Sequence, residues 1–162
     1  MAMKIKNRHR LKNKEAREVF TDITTRYHLD SALNADAVDI GSLEEFTVLL
    51  INDEVDFVLY NNKWMLTLQG VSRFRPKSLY VVVDMGAVGF ITKGADVMGP
   101  GVVDVDPLIQ PGDMVWVCDV KNKKPLVVGN ALVKGEEMKQ KIPGKVVKTI
   151  HYVGDRVWML TH

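Results

Sequence analysis

The sequence predicts an α+β protein with two domains, and three observations support this prediction. The chain has 162 residues, which suits one or two small domains of roughly 100 to 150 residues each. One segment near the N-terminus has the periodicity of an amphipathic helix, whereas most other apolar residues fall into short runs between turn formers. Hydrophobic residues make up 46% and charged residues 26%, ordinary globular values that argue against a disordered chain.

The first predicted elements are an edge strand and a helix. Basic residues alternate with other residues at the start of the chain, a period of two that is compatible with an edge strand carrying one basic face. These residues are Lys4, Lys6, Arg8 and Arg10. Residues 14–28 then have apolar residues at helical spacing, which predicts a helix. The apolar positions are Ala16, Val19, Phe20, Ile23 and Tyr27.

Four short β-rich runs follow, and a polar stretch ends this half of the chain. The runs are residues 38–40, 46–51, 55–60 and 64–68. Turn formers separate them, and the Asn61-Asn62 pair suits a tight hairpin because Asn tolerates positive φ. Gly70 to Lys77 is polar and contains Pro76. We therefore expect a domain boundary there, with domains at residues 1–75 and 76–162.

The second half is predicted to form a small, partly closed β-barrel. It opens with the β-branched run Tyr80–Val83, after which Asp84 can cap a short helix over Met85–Lys93 that ends at Gly94. Many short strands with one helix suggest a barrel. The further predicted strands are residues 102–105, 114–119, 126–132, 146–152 and 157–160.

Charge is segregated along the chain although its net value is only +2, with a pI near 8.6. The first 17 residues are basic, the block from Asp30 to Asp56 contains acidic residues and no Lys or Arg, and Arg73, Arg75 and Lys77 are basic again. The basic N-terminal arm is either a solvated edge strand that blocks edge-to-edge pairing or an arm that contacts RNA phosphates. The acidic block is expected to face solvent or a protein partner.

Candidate catalytic, metal and cofactor sites are lacking in the sequence. The single cysteine, Cys118, lies in an apolar run and is expected to be a buried, inert thiol. It also rules out a disulfide framework and a cysteine-based zinc site. The chain contains no nucleophile elbow, P-loop, dinucleotide-binding or zinc-protease motif. We therefore expect a protein that is not an enzyme and has no cofactor, and, without a signal peptide or membrane-spanning run, a cytoplasmic location.

The glycine-rich segment from residue 86 to residue 102 has two interpretations. Gly94, Ala95 and the turn Gly99–Gly101 can allow a nucleic-acid backbone to approach closely, with Lys93 contacting a phosphate. Alternatively, the glycines only satisfy tight turns in a small barrel, and spacing alone favours this second interpretation.

A resemblance to a known domain favours the first interpretation, a surface that nucleic acid approaches. Residues 80–102, YVVVDMGAVGFITKGADVMGPGV, resemble the opening of a PUA domain, a module named for pseudouridine synthases and archaeosine transglycosylases. The similarity continues through 112–117, 125–132, Gly144-Lys145 and the closing HYVGDRVW of residues 151–158. With the preceding half, the chain resembles a narrower group of archaeal and eukaryotic proteins in which a pre-PUA domain precedes the PUA domain, related to the malignant-T-cell-amplified protein and the N-terminal part of ligatin.

The resemblance implies an α+β pre-PUA domain followed by a PUA pseudobarrel that binds structured RNA, such as tRNA or small-subunit rRNA. It also implies a role in translation initiation or ribosome recycling, with the small ribosomal subunit and an initiation-factor-like protein as partners. The RNA-binding residues implied in the PUA domain are Lys93, Gly94, Ala95, Asp96, Val97, Met98, Pro100, Gly101, Lys145, Lys148 and His151. Arg73, Arg75 and Lys77 are expected to extend the basic face, and Asp96 to accept a hydrogen bond from a base or a 2′-OH.

The main alternative is an accessory module that gives RNA specificity to a modifying enzyme, because PUA domains often accompany pseudouridine synthases and tRNA transglycosylases. Stable association with the small ribosomal subunit distinguishes the two functions, since only the first predicts it.

Overall fold

The computed structural model describes residues 4–29 and 37–162. The chain divides into two compact units, one formed by residues up to Pro76 together with Leu160–His162, and the other by Lys77–Met159. None of the helices in these described ranges is long and apolar enough to cross a membrane.

The first unit contains one antiparallel five-stranded sheet in the order β1-β2-β3-β4-β5, with two helices. Its elements are β1 (Lys6–Arg10), α1 (Asn13–Tyr27), β2 (Val38–Leu43), β3 (Phe46–Ile51), β4 (Glu54–Tyr60), β5 (Lys63–Leu66) and α2 (Leu68–Phe74). The predicted helix and edge strand are confirmed: α1 buries Ile23 and Tyr27, and β1 lies at the edge of the sheet. The Tyr27 hydroxyl donates to the carbonyl of Trp64 at 2.8 Å and ties the helix to β5.

Helix α2 replaces the polar stretch that the sequence predicted from Gly70 onward. The Thr67 hydroxyl caps its first turn by accepting from the Gly70 N–H at 3.0 Å. Leu68 and Val71 are buried, and the Arg73 guanidinium is bound to the carboxylate of Asp56, which has no exposed surface. The helix is stabilised because Arg73 has a buried partner, Asp56, on β4. The local sequence does not reveal this partner.

The second unit is built on a six-stranded sheet in the order β7-β11-β10-β9-β6-β8. Its edge strands β7 and β8 are consecutive in the chain and are joined only by a three-residue 3₁₀ turn, Gly99–Gly101, so the sheet curls into the predicted pseudobarrel. Its elements are β6 (Tyr80–Val83), α3 (Met85–Ile91), β7 (Val97–Met98), β8 (Val102–Val105), β9 (Met114–Asp119), β10 (Pro125–Ala131), α4 (Gly135–Lys139) and β11 (Lys145–Tyr152), followed by α5 (Arg156–Thr161).

Strand β7 and helix α4 were not predicted, and two further predictions about this half are wrong in detail. Residues 157–160 form part of helix α5 instead of a strand, because the Asp155 carboxylate accepts from the Trp158 N–H at 2.8 Å and starts a helical turn. Helix α3 ends at Ile91, two residues before the predicted end. The α+β class, with a helix-plus-sheet half before a pseudobarrel, is confirmed.

Candidate nucleic-acid interface

A groove of about 640 Å³ opens on the second unit beside α3. Seven of the residues predicted to contact RNA line it, together with five that were not predicted to contact RNA. The predicted residues are Gly94, Ala95, Asp96, Met98, Pro100, Gly101 and Lys145. The additional residues are Asp84, Gly86, Ala87, Phe90 and Ile91.

The floor of this groove is held by an aspartate cap and by two small residues. Asp84 follows β6, and its carboxylate accepts from the Ala87 N–H at 2.9 Å, which starts α3 as predicted. The Asp84 N–H donates to the carbonyl of Gly101 at 2.9 Å. A Cβ on Gly101 would lie 3.2 Å from the Cβ of Ala87. The two small side chains therefore allow the helix to lie close to the turn before β8.

Gly94 shapes the end of the groove in two ways. Its φ of +92° lies in the left-handed region, which L side chains rarely adopt. A Cβ at this position would also lie 3.0 Å from the ring of Tyr152. The glycine thus lets the chain leave α3 and pass directly over Tyr152 toward β7.

Exposed apolar side chains stand at the mouth of the groove. Phe90 on α3 is 70% exposed, and Met98 on β7 is 47% exposed. An aromatic ring left in solvent is a platform on which a nucleobase can stack. The groove therefore combines close backbone approach with an apolar surface, the pairing of features that single-stranded or splayed-out nucleotides require.

Some charged residues of this region form internal hydrogen bonds or ion pairs, and others are exposed to solvent. The carboxylate of Asp96 accepts from the Thr149 N–H at 2.9 Å and pairs with Lys145 at 3.2 Å. The Thr149 hydrogen bond and the Lys145 ammonium lower the pKa of Asp96. Both carboxylate oxygens thus have a partner within the fold, and the expected hydrogen bond that Asp96 accepts from a base or 2′-OH stays a prediction for its remaining lone pairs. Lys93 and Lys148 are exposed.

Two further predicted contact residues are buried and cannot present their side chains to RNA. Val97 is 1% exposed. His151 has no exposed surface, and its Nδ1 lies 2.9 Å from the carboxylate of Asp155. Although burial alone would raise the pKa of Asp155, the His151 hydrogen bond keeps it below its usual range. The HYVGD segment therefore shapes the turn before α5, and its histidine is structural.

The three basic residues near the predicted boundary differ in their environments. Arg73 is held by Asp56, so its guanidinium is committed to the packing of α2. Burial raises the pKa of Asp56 to about 7 even though Arg73 opposes the shift. Arg75, in the first unit, and Lys77, in the second, are exposed. The Arg73 side chain is also 34% exposed, so Arg73 differs from the other two by its ion pair, and RNA contact by all three stays a prediction.

The N-terminal arm is also partly committed to internal ion pairs. Arg8 and Arg10 on β1 both bind Asp39 of β2, with N–O distances of 2.7 and 2.9 Å, and Arg8 also pairs with Asp53. Asp39 is 6% exposed. The acidic block from Asp30 to Asp56 is thus not one solvent-facing surface: Asp39 and Asp56 are buried partners of arginines. Its residues Asp30 and Asp36 lie outside the described residues.

Phe90 is the functional candidate that the sequence analysis missed. Phe90 follows Gly89 in α3, and a Cβ on Gly89 would meet no atom within 4 Å. No pattern in the sequence distinguishes this exposed ring from an apolar residue on the buried side of a short helix, so its exposure depends on packing. Cys118 is buried, which raises the pKa of its thiol to about 11. Among residues 4–29 and 37–162, no group of three or more His, Cys, Asp or Glu side chains could hold a metal ion.

Comparison with protein families assigns a domain to each half of the chain. The PUA domain matches residues 80–153, and a domain of unknown function, DUF1947, matches residues 7–73. An uncharacterized protein of Methanocaldococcus jannaschii is 36% identical over 158 residues, which cover 96% of this chain and 98% of that protein. A hypothetical protein of Pyrococcus horikoshii, solved by crystallography, has a TM-score of 0.82 at 31% identity and covers 96% of this chain and 99% of its own.

Eukaryotic proteins are similar over shorter stretches. The Malignant T-cell-amplified sequence 1 homolog of Drosophila melanogaster is 28% identical over 81% of this chain and 76% of its own length. Translation machinery-associated protein 20 of Eremothecium gossypii is 29% identical over 71% of this chain and 67% of its own length. The resemblance found in the sequence is confirmed: this chain belongs to the family of PUA-domain proteins in which a pre-PUA region, the DUF1947 domain, precedes the PUA domain.

Proposed function

We propose that this protein is a non-catalytic RNA-binding protein of the translation machinery, which recognises structured RNA through the groove beside α3. The observation that carries the proposal is the groove itself, lined by seven residues expected to contact RNA and flanked by the exposed ring of Phe90. The similarity to a fungal translation machinery-associated protein supports the cellular role and a cytoplasmic location.

In this proposal, the RNA lies on α3 and on the segment from Gly94 to Gly101. Phe90 and Met98 contact unpaired bases, the small residues let the backbone approach, and Lys93 neutralises a phosphate. The RNA is tRNA or small-subunit rRNA, and the small ribosomal subunit and an initiation-factor-like protein are the partners. The division into residues 1–75 and 76–162 belongs to the same proposal, with RNA recognition assigned to the second domain.

Equilibrium binding to three RNAs tests this function. A tRNA, a small-subunit rRNA helix and a length-matched single strand are titrated at several salt concentrations with the wild type, Lys93→Glu and Lys63→Glu. The last variant makes the same charge change on the exposed hairpin of the first unit. We expect preference for a structured RNA, which Lys93→Glu weakens about tenfold while Lys63→Glu does not.

Weak binding of all three RNAs that disappears with salt would contradict the proposal, since it indicates a generic basic surface. Co-sedimentation with small ribosomal subunits then separates a ribosomal role from service to an RNA-modifying enzyme. Stable association supports the former, and preference for a structured RNA without subunit association supports the latter.

A further inference from the structure

We propose that the lysine hairpin, residues Val120–Lys124 between β9 and β10, is a second phosphate-binding surface for the RNA that enters the groove. This inference rests on the proposed function and extends it, because none of the three lysines in the hairpin lines the groove. The lysines are Lys121, Lys123 and Lys124.

The hairpin and α3 begin at the same edge of the barrel. Strands β6 and β9 are parallel, with Val83 opposite Asp119, and the Val120 N–H donates to the carbonyl of Val83 at 2.9 Å. The chain leaves β6 at Asp84 to form α3 and leaves β9 at Val120 to form the hairpin. Because parallel strands end at a common edge, the lysines and the helix that borders the groove lie at one end of the pseudobarrel.

A buried carboxylate fixes the backbone of the hairpin. Asp119 is 3% exposed, and its two oxygens accept from the backbone N–H groups of Asn122 and Lys124. Its carbonyl accepts from the Lys123 N–H at 3.0 Å. The loop is therefore held from inside, so ordering it on binding costs little conformational entropy.

The three lysines carry charge that the protein leaves unneutralised. All three side chains are exposed, and none lies within 4.0 Å of a carboxylate oxygen in the described part of the chain. Lys145, in contrast, pairs with Asp96. Three adjacent positive charges without partners raise the local potential and favour an anionic ligand.

A nucleic-acid strand fits this edge better than an acidic peptide does. The groove beside α3 offers an exposed aromatic ring and glycines, and the hairpin adds three exposed cations at the edge of the barrel where α3 begins. Surfaces that bind single strands combine these two features, because bases stack on aromatic rings while the phosphates follow positive charge. We therefore infer that one RNA contacts both α3 and the lysine hairpin.

A pair of matched triple variants tests this inference with the tRNA used above. The first variant carries Lys121→Gln, Lys123→Gln and Lys124→Gln. The control carries Lys6→Gln, Lys14→Gln and Lys63→Gln, which removes the same charge from exposed positions of the first unit. The groove and the lysine hairpin both belong to the second unit.

We expect the hairpin variant to bind about tenfold more weakly and to lower the slope of log K against log salt by about two to three, since each lost phosphate contact removes about 0.7 to 0.9 from that slope. The control variant keeps the wild-type affinity and slope. Thermal unfolding of both variants checks that they are folded, and both are expected to match the wild type because all six positions are exposed.

Three results are informative in different ways. An equal loss of affinity in both triple variants would overturn the inference, because net charge alone would explain it. Wild-type affinity in the hairpin variant, with weakened binding by Phe90→Ala, would overturn the inference and leave the proposed function standing. Binding that neither Phe90→Ala nor the hairpin variant changes would overturn both.

Discussion

The two units of this protein use their basic residues differently. In the first unit, Arg8 and Arg10 share the buried carboxylate of Asp39, and Arg73 holds the buried carboxylate of Asp56. In the second unit, exposed lysines surround the edge that carries α3. Lys93, Lys121, Lys123, Lys124 and Lys148 are among the lysines of the described ranges that have no carboxylate oxygen within 4.0 Å.

We propose that this difference separates charges that stabilise the fold from charges that bind RNA. A guanidinium with a fixed fork of donors suits a buried carboxylate, whereas an ammonium on a flexible stem stays hydrated and available to a partner. Basic residues that look equivalent in the sequence therefore differ in whether the fold neutralises their charge. Variants of the first unit should change stability, and variants of the second should change RNA affinity.

The largest expected effect comes from breaking the ion pair between α2 and β4. Arg73→Ala leaves the Asp56 carboxylate buried without its partner, and we expect the free energy of unfolding at pH 8 to fall by about 3 kcal/mol. Chemical denaturation measures this change. The RNA affinity of the folded variant should equal that of the wild type, and a specific loss of RNA binding without a loss of stability would contradict this assignment.

The same carboxylate predicts a pH dependence with a definite sign. Burial raises the pKa of Asp56 to about 7 from a reference value of 3.8. Between these two values the folded state holds a proton that the unfolded state has released, so stability falls as the pH rises through this window and levels off above it. With respect to Asp56, the free energy of unfolding is therefore highest at low pH, where this side chain is protonated in both the folded and the unfolded state.

Asp56→Asn removes this titration while keeping the shape of the side chain. We expect the unfolding free energy of the variant, measured by denaturation from pH 4 to pH 8, to lack the decline that Asp56 causes in the wild type. If the unfolding free energies of the two proteins instead changed in parallel with pH, the prediction of a raised Asp56 pKa would be contradicted.

The next effect is expected at the groove. Phe90→Ala removes an exposed ring, and we expect RNA affinity to fall about tenfold, the value of one lost stacking contact. Since Phe90 is 70% exposed, the midpoint of thermal unfolding should stay unchanged. Leu59→Ala, at a position 37% exposed on β4 in the first unit, is a control that should leave RNA binding intact.

A smaller effect is expected at β1. Arg8→Gln removes one of two arginines from Asp39, and because Arg10 remains, we expect a loss of about 1 kcal/mol in unfolding free energy. Although burial alone would raise the pKa of Asp39, the two arginines lower it, so the contribution of this cluster should vanish as the pH falls below about 4. A reduced salt dependence of RNA binding in Arg8→Gln would instead identify the arm as an RNA contact.

Periodicity was sufficient to predict the regular parts of the fold. Helix α1 and all the strands except β7 follow from apolar spacing and turn formers, because their burial patterns are local. The two-residue strand β7 and the five-residue helix α4 are too short to show a periodicity. Helices α2 and α5 were missed because their formation depends on other residues: the first on Asp56, and the second on the carboxylate of Asp155, which competes with the β-branched character of Val157. Local sequence does not report such partners.

The candidate site was predictable in its backbone and less so in its side chains. Gly94 and Gly101 could be predicted because the positive φ of Gly94 and the close approach of Gly101 to Ala87 require glycine or a small residue. The burial and the contacts of a charged or titratable residue depend on residues that are distant in the sequence. The sequence therefore could not show that His151 is buried or that Asp96 is bound by Thr149 and Lys145. The exposure of Phe90 likewise depends on packing.

Residue-by-residue mapping of bound RNA tests the central claim most directly. Backbone amide NMR shifts of the 18.2 kDa protein are recorded during titration with the structured RNA that binds best. We predict that the largest shifts fall on residues 84–101 and on the lysine hairpin, with residues 6–10 and 13–27 little affected. Shifts concentrated on β1 and α1, with α3 unchanged, would contradict the account and assign RNA binding to the first unit.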